Sequence, residues 1–190
     1  MSFCPTFPPE LEREIFEICA LSQPILIPKL MLVVQRVKDW VEPLLYRTMA
    51  MDYIPQDRGR PNYSVDALLS AIRAKPPAFF PCAVRHLAFP FRVASSGETR
   101  SPAEIILGVC TGIENLSMLD IPEALIPLVR SLPLKHLYAE CGPLLSTLST
   151  LPPTHTFFSR LTHLEVDFGY DDSDGEVDLD NTCVALIALP

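Results

Sequence analysis

Four short stretches share one pattern: VRHLAF (84–89), IENLSM (113–118), LKHLYA (134–139) and LTHLEV (161–166). Each reads as an aliphatic residue, two others, leucine, one other, then an apolar residue. The central leucines, Leu87, Leu116, Leu137 and Leu164, are 29, 21 and 27 residues apart. Each stretch suits one short strand. Between and before them lie helix-like segments: SVDALLSAIRA (64–74), PAEIILGVC (102–110), PEALIPLVRSL (122–132) and PLLSTLSTL (143–151). Strand and helix therefore alternate at short, near-regular intervals. That pattern predicts a solenoid of stacked strand–helix units, because one unit alone cannot bury its apolar face. A helical return after each strand makes the sheet parallel. The expected fold class is α/β, with four to five strands.

Outward from this core, LYRTMAM (45–51) carries a weak alternation and reads as a further strand. The polar, turn-rich QDRGRPNY (56–63) sets a boundary near residues 50–60. We therefore divide the chain into residues 1–50 and 51–190. Upstream, Pro8-Pro9 followed by ELEREIFEICAL predicts a helix start, since proline fits a first turn whose N–H groups lack partners anyway. Glu10, Glu12 and Glu14 complement the positive end of its dipole. Leu11, Ile15, Ile18 and Cys19 form one apolar face, and Ser22-Gln23-Pro24 ends the helix. A second helix is expected from Pro28 through KLMLVVQRVKDW, burying Leu30, Val33, Val34, Val37 and Trp40 or Val41, with Pro43 ending or kinking it.

Composition narrows the functional classes. Hydrophobic residues make up 48% and charged residues 20%, which excludes a wholly disordered chain despite 20 prolines in 190 residues. Net charge is −8, concentrated at 165–180, where eight acids occur with no Lys or Arg. The remaining fifteen acids balance fifteen bases, so a basic nucleic-acid footprint is missing, and Arg58-Gly59-Arg60 is too small to supply one. The acidic window fails as a calcium loop: with Gly175 at loop position six, the first and last ligand positions fall on Tyr170 and Asn181. It reads as a solvated loop, or more sharply as a docking patch for a basic segment. The six cysteines form no CxxC and mostly have apolar neighbours, which suggests reduced, buried thiols in a cytoplasmic or nuclear protein. The N-terminus lacks the pattern of a secretory signal, and no apolar run is long enough to span a bilayer. The last segment, NTCVALIALP, lacks a polar capping unit, which leads us to expect a truncated end.

Few residues invite bond chemistry. His86, His136 and His163 each precede the central leucine of a repeat, and Asn115 holds that place in the remaining copy. Alternation along a strand turns them away from the leucine face and into a row. A solvated or partner-binding row is expected there rather than a metal site. No GxSxG, HExxH, P-loop or GxGxxG occurs, so nucleophile, zinc-protease and nucleotide readings lack an anchor. An enzyme would require scattered groups such as Cys110, Cys141 and the histidines to converge in space. No catalytic residue, metal or cofactor is expected.

FPPELEREIF (7–16) resembles the F-box motif, whose usual start is L-P-x-E-L-L-x-x-I-F. Pro8, Glu10, Leu11, Ile15 and Phe16 match; Phe7 stands for leucine and Glu12 replaces the second leucine. LVVQRVKDWVEPLLY (32–46) resembles the later F-box helix, with its valines and Trp40. The likeness is to the F-box-like proteins of mushroom-forming fungi and covers about residues 5–50; the remainder resembles irregular leucine-rich repeats. The resemblance implies an F-box-like helical hairpin followed by a leucine-rich-repeat-like solenoid. It implies a non-catalytic substrate receptor of a Skp–cullin–F-box ubiquitin ligase, present as one copy within a complex. The Skp adaptor would dock on Pro8, Pro9, Leu11, Ile15 and Phe16, and the repeats would hold the target protein. The alternative is a plain interaction module whose hairpin caps the solenoid.

Overall fold

The computed structural model describes residues 7–51, 64–89, 101–119, 121–140 and 156–167. The expected helix 143–151, the acids beyond Asp167, the C-terminal apolar segment, and Cys4, Cys141 and Cys183 lie outside the described residues.

Helix α1 (Pro9–Ser22) starts at Pro8-Pro9 with Glu10 and Glu12 in its first turn, and it stops at Gln23 before Pro24. A 3-10 turn (Pro24–Leu26) and a single helical turn, α2 (Ile27–Leu30), follow. The second helix is therefore not continuous from Pro28. Residues 31–33 form a turn and Val34 is extended (φ −164°, ψ 155°), so α3 (Gln35–Leu45) begins only after it. Val33 and Val34, expected in the core, are exposed in consequence. Pro43 sits in the last turn of α3, where its missing N–H costs at most one bond, and the helix runs two residues further. Instead of a simple hairpin, α1 and α3 pack together with α2 and the 3-10 turn wedged beside them. Their small core is Ala20, Ile27, Val37 and Val41, with Phe16, Leu30 and Trp40 packed against it.

Five parallel strands form one sheet in chain order: β1 (Thr48–Ala50), β2 (His86–Phe89), β3 (Asn115–Met118), β4 (His136–Glu140) and β5 (His163–Asp167). All four repeated stretches are strands, and their leucines are in register: Leu87 pairs with Leu116, Leu116 with Leu137, and Leu137 with Leu164. Met49 of β1 extends the row. Thus β1, drawn on the N-terminal side of the 1–50 boundary, is the sheet's first strand.

The entry to each strand repeats a backbone device. The carbonyl before one strand accepts two N–H groups at the next: Arg47 O from Arg85 and His86 (3.0 and 2.9 Å), Arg85 O from Glu114 and Asn115 (2.9 and 3.0 Å), Glu114 O from Lys135 and His136 (2.7 and 3.1 Å), and Lys135 O from Thr162 and His163 (2.8 and 3.0 Å). This shared acceptor fixes the register at which each new strand joins, so each leucine lands beside its predecessor.

The helical returns are α4 (Val65–Ala74), α5 (Phe79–Ala83), α6 (Pro102–Val109), α7 (Ile126–Ser131, led by a 3-10 turn) and α8 (Thr156–Arg160). Ser64 caps α4 and Ser101 caps α6: each hydroxyl accepts from the backbone N–H three residues on, at 3.1 and 3.2 Å. Leu68, Phe80, Ile106, Leu107, Leu125, Val129 and Phe157 from these helices meet the leucine row in one continuous core. Close packing fixes Gly112, where a Cβ would stand 2.0 Å from Pro81 O. Cys110 is buried in this core as expected, and burial pushes its thiol up to about 12. Cys19 and Cys82, by contrast, are exposed.

Contacts between α3 with the turn after it and the sheet unit include an ion pair and two ring contacts. Lys75 Nζ lies 2.6 Å from Glu42 Oε1. Tyr46 meets Phe79 and Phe80 edge-on, with centroids 5.5 and 5.3 Å apart.

Candidate functional site

Helix α1 is apolar on two sides, and only one is used internally. Phe16 and Ala20 face α3. Leu11, Ile15 and Ile18, at i, i+4 and i+7, face solvent with exposures of 48, 49 and 55%. Phe7 leads into the same row and is also exposed. The face read from sequence as one apolar side is thus the outer face. Of the residues singled out for adaptor contact, Pro8, Pro9, Leu11 and Ile15 are exposed, whereas Phe16 is half-buried in the helical core. Leu32, 85% exposed, joins Val33 and Val34, both expected in the buried stripe, to form an exposed apolar turn.

A second surface is the open face of the sheet. The residues alternating with the buried leucines form two rows in register. One is Thr48, His86, Asn115, His136 and His163; the other is Ala50, Ala88, Ser117, Tyr138 and Glu165. Together they line a shallow groove of about 550 Å³. The histidines fall in one row, as alternation requires. Asn115 Nδ2 donates to His86 Nδ1 at 2.7 Å. His136 and His163 stack at a tilt, with centroids 4.2 Å apart. The Thr162 hydroxyl donates to Lys135 O at 2.9 Å and lies 3.0 Å from His163 Nδ1.

A charged cluster lies at the entries of β2, β3 and β4, outside the groove lining. Glu114 is shared by Lys135 (2.6 Å) and Arg85 (3.9 Å). The Lys135 hydrogen bond is the main reason that the Glu114 carboxyl is held below the usual carboxylate range. Burial, aided by the charge of Arg47, holds His86 below its ordinary 6.5, with Glu114 pulling the other way. Both neutral imidazoles and amides can donate and accept hydrogen bonds, so the row can read a peptide backbone.

Among the described residues, no three His, Cys, Asp or Glu side chains gather where they could hold a metal ion. No helix among them is long and apolar enough to cross a membrane. Comparison of the chain with protein-family models, curated proteins and solved structures gives no match.

Proposed function

We propose that this chain is a protein-interaction module built as a solenoid of strand–helix repeats, with no bond chemistry of its own. More particularly, it is the substrate receptor of a Skp–cullin–F-box ligase. The N-terminal helices are its F-box-like unit and dock the Skp adaptor, while the repeats carry the target protein. Its contribution is proximity, which raises the effective concentration of target lysines at the ubiquitin-charged enzyme.

The observation that carries the reading is the outer row of α1. A helix already packed through Phe16 and Ala20 keeps a second stripe, Leu11, Ile15 and Ile18, half in water. Burying each of these remaining surfaces contributes on the order of 1 kcal/mol. Pro8, Pro9, Leu11 and Ile15 are the contact residues, while Phe16 acts from behind by setting the helix.

Co-expression with a Skp adaptor tests the reading. The wild type should co-purify with it, and Leu11→Asp/Ile15→Asp should weaken capture by more than about tenfold with an unchanged melting temperature. A wild type that captures no adaptor, or a double variant that captures as much, overturns it.

A capping role is the second reading. The Lys75–Glu42 pair and the Tyr46 contacts with Phe79 and Phe80 favour it, because they seal α3 against the sheet unit.

A further inference from the structure

The polar row on the open sheet face divides into two couples. On β2 and β3, Asn115 Nδ2 donates to His86 Nδ1 at 2.7 Å. That bond leaves the proton of a neutral His86 ring on Nε2, which then has no free lone pair. On β4 and β5, His136 and His163 stand in direct register. Their rings lie side by side, with centroids 4.2 Å apart and planes tilted by 34°, and both are exposed in the groove. The Thr162 hydroxyl donates its hydrogen to Lys135 O (2.9 Å), so its oxygen accepts from His163 Nδ1 at 3.0 Å. Nδ1 of His163 therefore carries the proton, and Nε2 keeps its lone pair. The His136 ring makes no hydrogen bond among the described residues, so it can turn to present either nitrogen.

We propose that His136 and His163 together bind a divalent transition-metal ion of the zinc, nickel or copper class through their Nε2 atoms. Imidazole suits these ions, whereas Mg²⁺ and Ca²⁺ take oxygen ligands. Histidine ligands at metal sites have their other ring nitrogen held by a hydrogen bond. Thr162 supplies that bond here, and it is itself anchored on the carbonyl that sets the entry of β5. Glu165, two residues along β5 on the same face, adds a negative charge near the pair. Lys135, next to His136 in sequence, has its ammonium 2.6 Å from Glu114, which offsets its repulsion of a cation.

Strand spacing makes the pair a chelate. Neighbouring strands run about 4.8 Å apart. A tetrahedral ion about 2.0 Å from each nitrogen holds the two nitrogens about 3.3 Å apart. Rings whose centroids already lie 4.2 Å apart reach that by a small lean, without backbone movement. His86 is two strand steps from His136, about 10 Å, with Asn115 between them, and so is not a third ligand. No third His, Cys, Asp or Glu gathers with the pair among the described residues, so water completes the coordination and the site opens into the groove. The site goes beyond the receptor reading and stands or falls separately, since it uses no residue of the N-terminal helices.

The probe is Zn²⁺ alone, titrated near neutral pH into the full chain labelled with ¹⁵N-histidine and followed by NMR of the ring nitrogens. The Nε2 signals of His136 and His163 should shift together on one saturation curve, while those of His86 stay in place. His136→Gln should move the His163 curve to Zn²⁺ concentrations higher by more than about tenfold, and His163→Gln should do the same to His136. Thr162→Val, which removes the hydroxyl and keeps the shape, should weaken binding by about tenfold. His86→Gln should leave both curves unchanged. Unchanged circular dichroism melting of each metal-free variant verifies its fold, and the wild-type titration decides the matter by itself where a variant does not fold. Unmoved His136 and His163 signals, separate saturation curves for the two, or a His163 curve that survives His136→Gln overturns the proposal. Zn²⁺ taken up only at the exposed Cys19 or Cys82 leaves the ring signals unmoved and overturns it as well.

Discussion

His86 is the residue at which local environment becomes measurable in solution. Burial depresses its proton affinity, Arg47 and His136 depress it further, and Glu114 opposes them. Asn115 donates to its Nδ1, which favours the neutral ring. The unfolded chain takes up the proton near 6.5, and the folded chain takes it up only at lower pH. The unfolded state thus binds more protons in the window below 6.5, so the folded state is fully favoured above that value and loses ground as pH falls toward the depressed folded value. Melting temperature should drop between pH 7.5 and 5.5, and His86→Gln should flatten that slope. Equal slopes in wild type and variant would show that His86 titrates alike in both states.

At the scale of single elements, helices α4 and α6 each begin on a serine whose hydroxyl takes the N–H three residues on. Ser101→Ala leaves that donor without its cap and should cost about 1 kcal/mol in chemical denaturation; an unchanged midpoint would contradict this. Both were legible in the sequence, α4 from its Ser64 start and apolar stripe and α6 from Pro102 in its first turn ahead of an apolar run. The strands were legible for a different reason: a repeated leucine with period-2 alternation leaves one way to bury its row. Helix α5 was not legible. Its stretch, Phe79–Ala83, is a short turn of PPAFFPCAV (76–84) with two prolines before it and Pro81 inside it, held by the packing of Phe80 and Ala83 rather than by helix signals. Similarly, periodicity found the outer row of α1 but could not show which way it faces. A stripe kept for a partner and a stripe kept for the core have the same spacing, and the inner one, built on Phe16 and the small Ala20, is the weaker pattern. Val33 and Val34 misled for a related reason: one extended residue at 34 rotates everything before it out of the helical phase.

Over the whole molecule, two apolar cores stand apart, one among the N-terminal helices and one beneath the sheet. Contacts between the two units include the Lys75–Glu42 ion pair and the Tyr46 ring contacts. If the N-terminal unit serves docking, a chain starting at Arg47, which keeps β1, should stay soluble with its sheet intact, at a lower melting temperature. Aggregation or loss of the sheet would favour the capping role instead. The central claim is that the outer row of α1 is covered by the adaptor, and isoleucine-methyl NMR of the full chain tests it most directly. On addition of purified Skp adaptor, the methyl signals of Ile15 and Ile18 should shift or broaden, while those of Ile106 and Ile113, buried under the sheet, stay in place. Unmoved Ile15 and Ile18 signals at saturating adaptor would contradict the account.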